Sequence, residues 1–318
     1  MQNKAKYTLI TTLFVACVVG RLWAQEEPTQ KVVQRDGWYT NLDVAKKLAV
    51  KEGKDLLIEF TRSEGCGWCV KLEKEVLSQD GFKDKVAKNY VMVVLNYPHD
   101  SSKWTAEVKA QHAKLLNHYQ IRKFPYLVFA DASGQPYESE SYRDRKPEAY
   151  LNEIIEIQNK RNKRDKAFTA AKNAEGKEKA RLLEKGMAEI SRRYHRHYPE
   201  IIAEIAKADP DDTSGFMAKI RVDEVRAGLG HMLKPHYEES NYEAIPAAVE
   251  LYISENNPKG EALQMALLYK VQALYWAKKF TSAKKLADEV IAINGTTRAA
   301  RYASSIKKRV ERVQAEGK

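Results

Sequence analysis

Leu56-Leu57-Ile58-Glu59-Phe60, a polar stretch from Thr61 to Gly65, and then Cys66-Gly67-Trp68-Cys69-Val70-Lys71-Leu72 decide the fold of this 318-residue chain. The first segment is a short apolar run of the kind that forms a strand buried on both faces. The third opens a helix-patterned run that reaches Ser78, with Leu72, Val76 and Leu77 facing inward. Two cysteines three apart in the first turn of a helix can close a short disulfide. The first faces the helix N-terminus, where unpaired backbone N–H groups and the helix dipole favour an anion. A thiolate there has a lowered pKa and is a ready nucleophile. The second is close enough to attack a mixed disulfide formed on the first. Cys66 is thus the candidate nucleophile and Cys69 the candidate resolving thiol of a dithiol–disulfide couple.

The rival readings of the pair are a zinc site and a chemically idle CxxC. A structural zinc needs four ligands, usually two such pairs or one pair plus spaced histidines. The chain has three cysteines, Cys17, Cys66 and Cys69, and no second CxxC. His195 and His197 are two apart and do not share a helix face. Neither they nor any other residues are assigned as metal ligands.

Working outward, Trp38 to Lys51 has Leu42, Ala45, Leu48 and Ala49 at helical spacing, and Gly53 stops that helix. Phe82 to Asn89 is a second helical piece, Tyr90 to Asn96 a nearly continuous apolar strand, and Thr105 to Tyr119 a helix. Tyr126 to Ala130 is a strand joined through Asp131-Ala132-Ser133-Gly134, a hairpin-type turn, to Tyr137–Tyr142. Pro147 starts a helix that runs to about Lys160. The order predicts an α/β domain, a central mixed sheet with helices on both faces.

The segments Gly53 to Phe60, Cys66 to Glu73 and Ile121-Arg122-Lys123-Phe124-Pro125-Tyr126-Leu127-Val128-Phe129 carry a resemblance. Over about Trp38 to Lys160 the chain resembles the thioredoxin superfamily, and its exported thioredoxin-like members in particular. The resemblance implies a thioredoxin-like fold in which the Phe124–Pro125 bond is cis and Pro125 lies against the cysteines. It places Glu59 as a buried acid beneath Cys69, able to shuttle a proton. Trp68 and Phe124 would contact substrate beside Pro125. The implied activity is that of a thiol-disulfide oxidoreductase acting on protein cysteines; Gly67-Trp68 between the cysteines leaves its direction open, and a reductase is the first reading. No bound cofactor is implied; electrons pass to or from a membrane or soluble dithiol partner, and the clients are cysteine-containing exported proteins.

The formal charge is +11, but Lys and Arg are scattered among Glu and Asp without a compact basic block. That pattern reads as a solvated surface rather than a nucleic-acid site. Residues 1–24 read as a signal peptide: Lys4 and Lys6, an uncharged and mostly apolar Tyr7 to Gly20, and a cleavage site after Ala24. An uncleaved anchor and lipidation at Cys17 are the alternatives. Export, to the periplasm, suits a redox protein, because disulfides persist outside the cytoplasm. Residues 25–37 form a polar linker, and 38–162 the thioredoxin-like domain.

Beyond the charged stretch Arg161 to Lys166 no apolar strand run appears, and residues 163–318 carry helical periodicity cut by Asp209-Pro210-Asp211, Pro235, Asn257-Pro258 and Asn294-Gly295. Ala273 to Ala283 resembles a tetratricopeptide helix-turn-helix, with alanines allowing close packing and Tyr275, Trp276 and Phe280 filling the gaps. The region is expected to be an all-α, tetratricopeptide-like domain. This opens an alternative function: a protein-binding or chaperone-like module in which the helices bind partners and the CxxC is secondary.

Overall fold

A computed structural model describes residues 37–102 and 104–316. The expected signal peptide, and the linker up to residue 36, lie outside the described residues.

Five strands form one mixed sheet in the order β1-β3-β2-β4-β5. They are β1 (Trp38–Tyr39), β2 (Asp55–Thr61), β3 (Tyr90–Asn96), β4 (Tyr126–Ala130) and β5 (Pro136–Ser141). β1, β3 and β2 are parallel, while β4 pairs antiparallel with β2 and β5 with β4. Every residue of β2 and β4 is buried, which explains why both are mostly apolar, with Asp55, Glu59 and Thr61 as buried polar residues of β2. Trp38 and Tyr39 correct the expectation of a helix over 38–51: they pair with Met92 and Val93 as an edge strand. The helix α1 begins at Leu42 (Leu42–Glu52), where the Asn41 side chain accepts from the N–H groups of Asp43 and Val44.

α2 (Gly67–Leu72) continues as a π-helical turn, Glu73–Leu77. α3 (Asp80–Val86) and α4 (Ala106–His118) complete the helices ahead of β4. The β4–β5 turn is closed by Asp131, whose Oδ1 accepts from the N–H groups of Ser133 and Gln135. Gly134 is required there: its φ is +92°, and a Cβ would lie 2.5 Å from Cε of Lys46 and 3.2 Å from the Tyr119 hydroxyl.

The expected division at 162/163 falls inside one helix, α5 (Pro147–Ala171). The charged run Arg161 to Lys166 holds no Gly or Pro, so nothing in it ends a helix. It also anchors α5 to the sheet. Asp55, buried at the start of β2, accepts from Arg161 Nε and Nη2 at 3.0 and 3.1 Å and from the Tyr137 hydroxyl at 2.9 Å. The buried Arg164 guanidinium lies 4.8 Å from the Tyr137 ring centroid.

α6 (Gly176–Ala188), a 3₁₀ turn (Arg192–His197) and α7 (Pro199–Ala208) then fold back on β5 and α4. One continuous apolar cluster runs from Trp38 through the sheet to Leu183, Met187, Tyr194, Tyr198 and Ile205. The later helices are α8 (Phe216–Met232), α9 (Lys234–Glu238), α10 (Ile245–Asn256), α11 (Gly260–Trp276), α12 (Phe280–Ile293) and α13 (Arg298–Glu316). They bury two further clusters, which meet at Met265. α11 is the centre of this part and packs against α8, α10, α12 and α13. Ala273 and Ala283 are fully buried across the α11–α12 turn, as close packing requires. Trp276 is half exposed and lies on Tyr237 and Tyr242, with centroids 5.7 and 5.4 Å away.

The fold-back brings His197 against His118 of α4, with ring centroids 4.7 Å apart. Burial, and then the neighbouring His118 and Arg196, lower the His197 pKa from 6.5 to about 4. The unfolded chain therefore binds the proton at higher pH than the folded one. The contribution to stability is complete above about pH 6.5 and is lost as the pH falls towards about 4. His112, His118 and His195 are displaced in the same direction, chiefly by burial. Urea midpoints at neutral and mildly acidic pH are expected to fall further for the natural chain than for His197→Gln. Parallel losses in the two proteins would remove His197 as a cause.

Candidate active site

Cys66 and Cys69 form a disulfide at the β2-to-α2 corner. Cys66 is the N-cap of α2, and its Sγ accepts from the Cys69 N–H at 3.2 Å. Cys66 is half-buried, whereas Cys69 is only 3% exposed. One sulfur is thus open to approach and the other is shielded by the fold. A helix N-terminus supplies oriented N–H groups that favour a thiolate at the open position once the bond is reduced.

Trp68, between the cysteines, is 57% exposed. Trp68, Phe124 and Pro125 line one groove of about 300 Å³ together with Lys123, Ser141, Tyr142 and Asp144. The Phe124–Pro125 peptide is cis. Three of the residues singled out in the sequence are therefore neighbours in space despite some fifty-five residues of intervening chain.

Tyr142 forms the far wall and was not singled out in the sequence. The β4–β5 register brings it there: Ser141 pairs with Tyr126, so Tyr142 arrives beside Pro125. Its ring centroid is 5.5 Å from that of Trp68. The Tyr150 hydroxyl holds the backbone on its far side, accepting from the Arg143 N–H at 2.8 Å and donating to the Arg143 carbonyl at 2.6 Å. Lys71 lies 5.7 Å from the Trp68 centroid and donates to Asp144 at 2.8 Å. That hydrogen bond raises the Lys71 pKa and keeps the ammonium charged.

At the other end, Tyr97 stacks on Phe124 with centroids 5.3 Å apart, and the Arg62 guanidinium lies 4.9 Å from the same ring. Arg62 Nε also donates to the Tyr97 carbonyl at 3.2 Å. The groove is thus lined by the rings of Trp68, Phe124 and Tyr142 and the Lys123 ammonium, with Arg62 packed on the Phe124 ring beside it. Arg62 lies four residues before Cys66; its basic character was visible, but its partner 62 residues later was not.

Glu59 is fully buried on β2, in register with Val94 and Leu127. Its strand leads through Thr61 into the active-site loop. His99, in the loop after β3, is not among the residues lining the groove. Among the described residues there is no group of three or more His, Cys, Asp or Glu arranged to hold a metal ion. No described helix is long and apolar enough to cross a membrane.

Residues 42–155 match the family model described as a thioredoxin-like domain. Among characterised proteins, the disulfide bond reductase DsbH of Chlamydia pneumoniae is 26% identical over 104 residues. The match covers 33% of this chain and 62% of that protein, so the chain spans less than two thirds of this relative's length. Among solved structures, a DsbH oxidoreductase is 22% identical with a TM-score of 0.35, covering 41% of this chain and 89% of its own. A thioredoxin from Thermus thermophilus is 20% identical with a TM-score of 0.31, covering 39% and 88%. The C-terminal domain of Neisseria meningitidis DsbD in the oxidised form is 17% identical with a TM-score of 0.30, covering 37% and 97%.

Proposed function

Because residues 42–155 are a thioredoxin-like domain built around a Cys66–Cys69 disulfide, we propose that the protein is an exported disulfide reductase acting on protein cysteines. The carrying observation is the asymmetry of the pair: Cys66 open at a helix N-terminus, Cys69 buried behind it. The name of the chlamydial relative, a disulfide bond reductase, supports the direction.

In the reduced protein the Cys66 thiolate attacks one sulfur of a client disulfide. A mixed disulfide forms, and the first client sulfur leaves as a thiolate. Cys69, deprotonated, then attacks the Cys66 sulfur. The Cys66–Cys69 bond forms and the second client thiolate leaves. Two electrons have passed from the protein to the client, and an external dithiol partner returns them. Glu59 is the base proposed to take the Cys69 proton in the second attack. Trp68, Phe124, Pro125 and Tyr142 hold the client chain in the groove, where an exposed indole and stacked rings suit recognition.

The proposed clients are exported proteins with disulfides, and the proposed electron donor is a membrane or soluble dithiol carrier. Nucleic acid is not a proposed partner. Export to the periplasm rests on Lys4, Lys6 and the apolar stretch that follows them.

The test is the reduction potential of the pair, measured by equilibration with dithiothreitol or glutathione and read by Trp68 fluorescence. A value near about −270 mV is expected for a reductant. A value near about −120 mV would make the protein a disulfide donor instead. The absence of a reversible couple would end the redox reading.

A further inference from the structure

The loop Ile121–Pro125 supplies Lys123, Phe124 and Pro125 to the groove. Both of its ends are held by one side chain from far along the chain. Arg193 Nη2 donates to the Gln120 carbonyl at 2.7 Å, at the loop's start. Arg193 Nη1 donates to the Tyr126 hydroxyl and, at 3.3 Å, to the Ser139 hydroxyl, at the loop's end. The guanidinium also lies over the Tyr126 and Tyr194 rings, 5.1 and 5.2 Å from their centroids. In return the Gln120 side-chain amide donates to the Arg193 carbonyl.

Neighbours in the same 3₁₀ turn extend the grip. The Tyr194 hydroxyl donates to the Tyr119 carbonyl at 3.3 Å, and Arg196 Nη2 donates to the Asn117 carbonyl at 3.3 Å. Tyr194 is fully buried and belongs to the cluster that fills the sheet. The turn is also fixed to β5, where the Ser191 N–H donates to the Tyr137 carbonyl at 2.9 Å. Gln120 has a φ of +57°, a conformation that a non-glycine residue keeps only when its surroundings hold it. The Arg193 fork supplies part of that hold, because a planar guanidinium can bond a carbonyl and a hydroxyl at once and stack on rings.

We propose that Arg193 is a positioning residue of the client groove: it fixes the Gln120–Tyr126 loop so that Phe124 and Pro125 stand opposite Trp68 before a client arrives. The helical part of the chain thereby presets the redox site. This rests on the proposed reductase activity for its effect on clients, but not for the effect on the loop. Groups held in advance lose less freedom when a client binds. Arg193 touches neither sulfur, so the exchange chemistry itself does not depend on it.

The experiment compares the full chain with Arg193→Met and Tyr126→Phe. Arg193→Met removes the fork but keeps an unbranched side chain, and Tyr126→Phe removes one acceptor while keeping the ring. Hydrogen exchange in the peptide over 120–127 is expected to quicken about tenfold in Arg193→Met and about threefold in Tyr126→Phe. Exchange over β3, Tyr90–Asn96, should be unchanged. With insulin as the probe client, KM is expected to rise about tenfold in Arg193→Met, with kcat within about threefold. The reaction of the Cys66–Cys69 disulfide with dithiothreitol, which needs no groove, should stay within about twofold.

Folded variants with unaltered loop exchange and unaltered KM overturn the proposal. So does a change spread equally over β3 and the loop, which would mark Arg193 as general support. If Arg193→Met does not fold, Tyr126→Phe decides by the same criteria. If the natural chain fails to reduce insulin, the reductase reading fails, and the loop exchange still tests Arg193.

Discussion

Cys66→Ser is expected to lower insulin reduction by about a thousandfold or more, because a serine hydroxyl is not ionised at neutral pH and cannot form the mixed disulfide. Cys69→Ser is expected to behave differently. Cys66 can still attack a client, but the second attack is gone, so the mixed disulfide accumulates as a dithiothreitol-cleavable adduct on a non-reducing gel. The difference follows from the structure: Cys66 is the half-exposed N-cap and Cys69 is buried behind it. If the trapped adduct formed on Cys69 in Cys66→Ser instead, the two roles would be exchanged. Glu59→Gln keeps shape and burial but removes the proposed base, and should slow client turnover about tenfold or more while adducts still form. Unchanged turnover in Cys66→Ser would falsify the enzymatic reading altogether.

A chain ending at Asn162 is expected to lose roughly 5 kcal/mol of stability or to fail to fold, whereas one ending at Ser214 stays folded. The shorter cut stops α5 midway and removes Arg164, Met187, Tyr194 and Tyr198 from the first apolar cluster and its polar border. Tyr119 and Tyr137, both almost fully buried, lose part of their cover. Each large side chain returned to water costs about 1.5–3 kcal/mol, and a domain has only about 5–15 kcal/mol in total. The longer cut falls in the loop between α7 and α8, after which burial passes to the two later clusters, though Phe216 and Met217 still touch the first. Thermal unfolding followed by circular dichroism distinguishes the two chains. Equal melting temperatures would mean that the fold-back contributes nothing to the sheet. The comparison also decides how a client-binding role for the helices must be tested. Loss of client recognition after a cut at 162 reports damage to the redox domain, whereas loss after a cut at 214 reports on α8–α13.

Much of residues 38–160 was legible because their elements announce themselves locally. β3 and β4 are nearly continuous apolar runs and β2 is one interrupted by Glu59, since parallel and central strands are buried on both faces. Pro147 marks the start of α5, and Gly53, with φ of +64°, closes α1. β1 escaped because two residues on a sheet edge have no period to read; only pairing with Met92 and Val93 makes them a strand. The helix boundaries around 209–215 and 257–260 were readable from Pro, Asn and Gly, which stop helices by their own backbone preferences.

The sequence by itself pointed to the chemistry of this protein: two cysteines three apart, after a buried strand and at the start of a helix, are placed to form the disulfide that the structure shows. Trp68 was legible from its place between the cysteines, and Phe124 and Pro125 from the resemblance of their segment to the thioredoxin superfamily. Only the tertiary structure decided where the groove's other wall comes from and how far the redox unit extends. Tyr142 reaches Pro125 through strand register, Arg62 reaches Phe124 through the end of β2, and Arg193 reaches Gln120 through a fold-back more than seventy residues away. A local pattern records what a residue does to its own backbone. Contacts between distant segments depend on how the whole chain buries its apolar faces, and no window of sequence contains that.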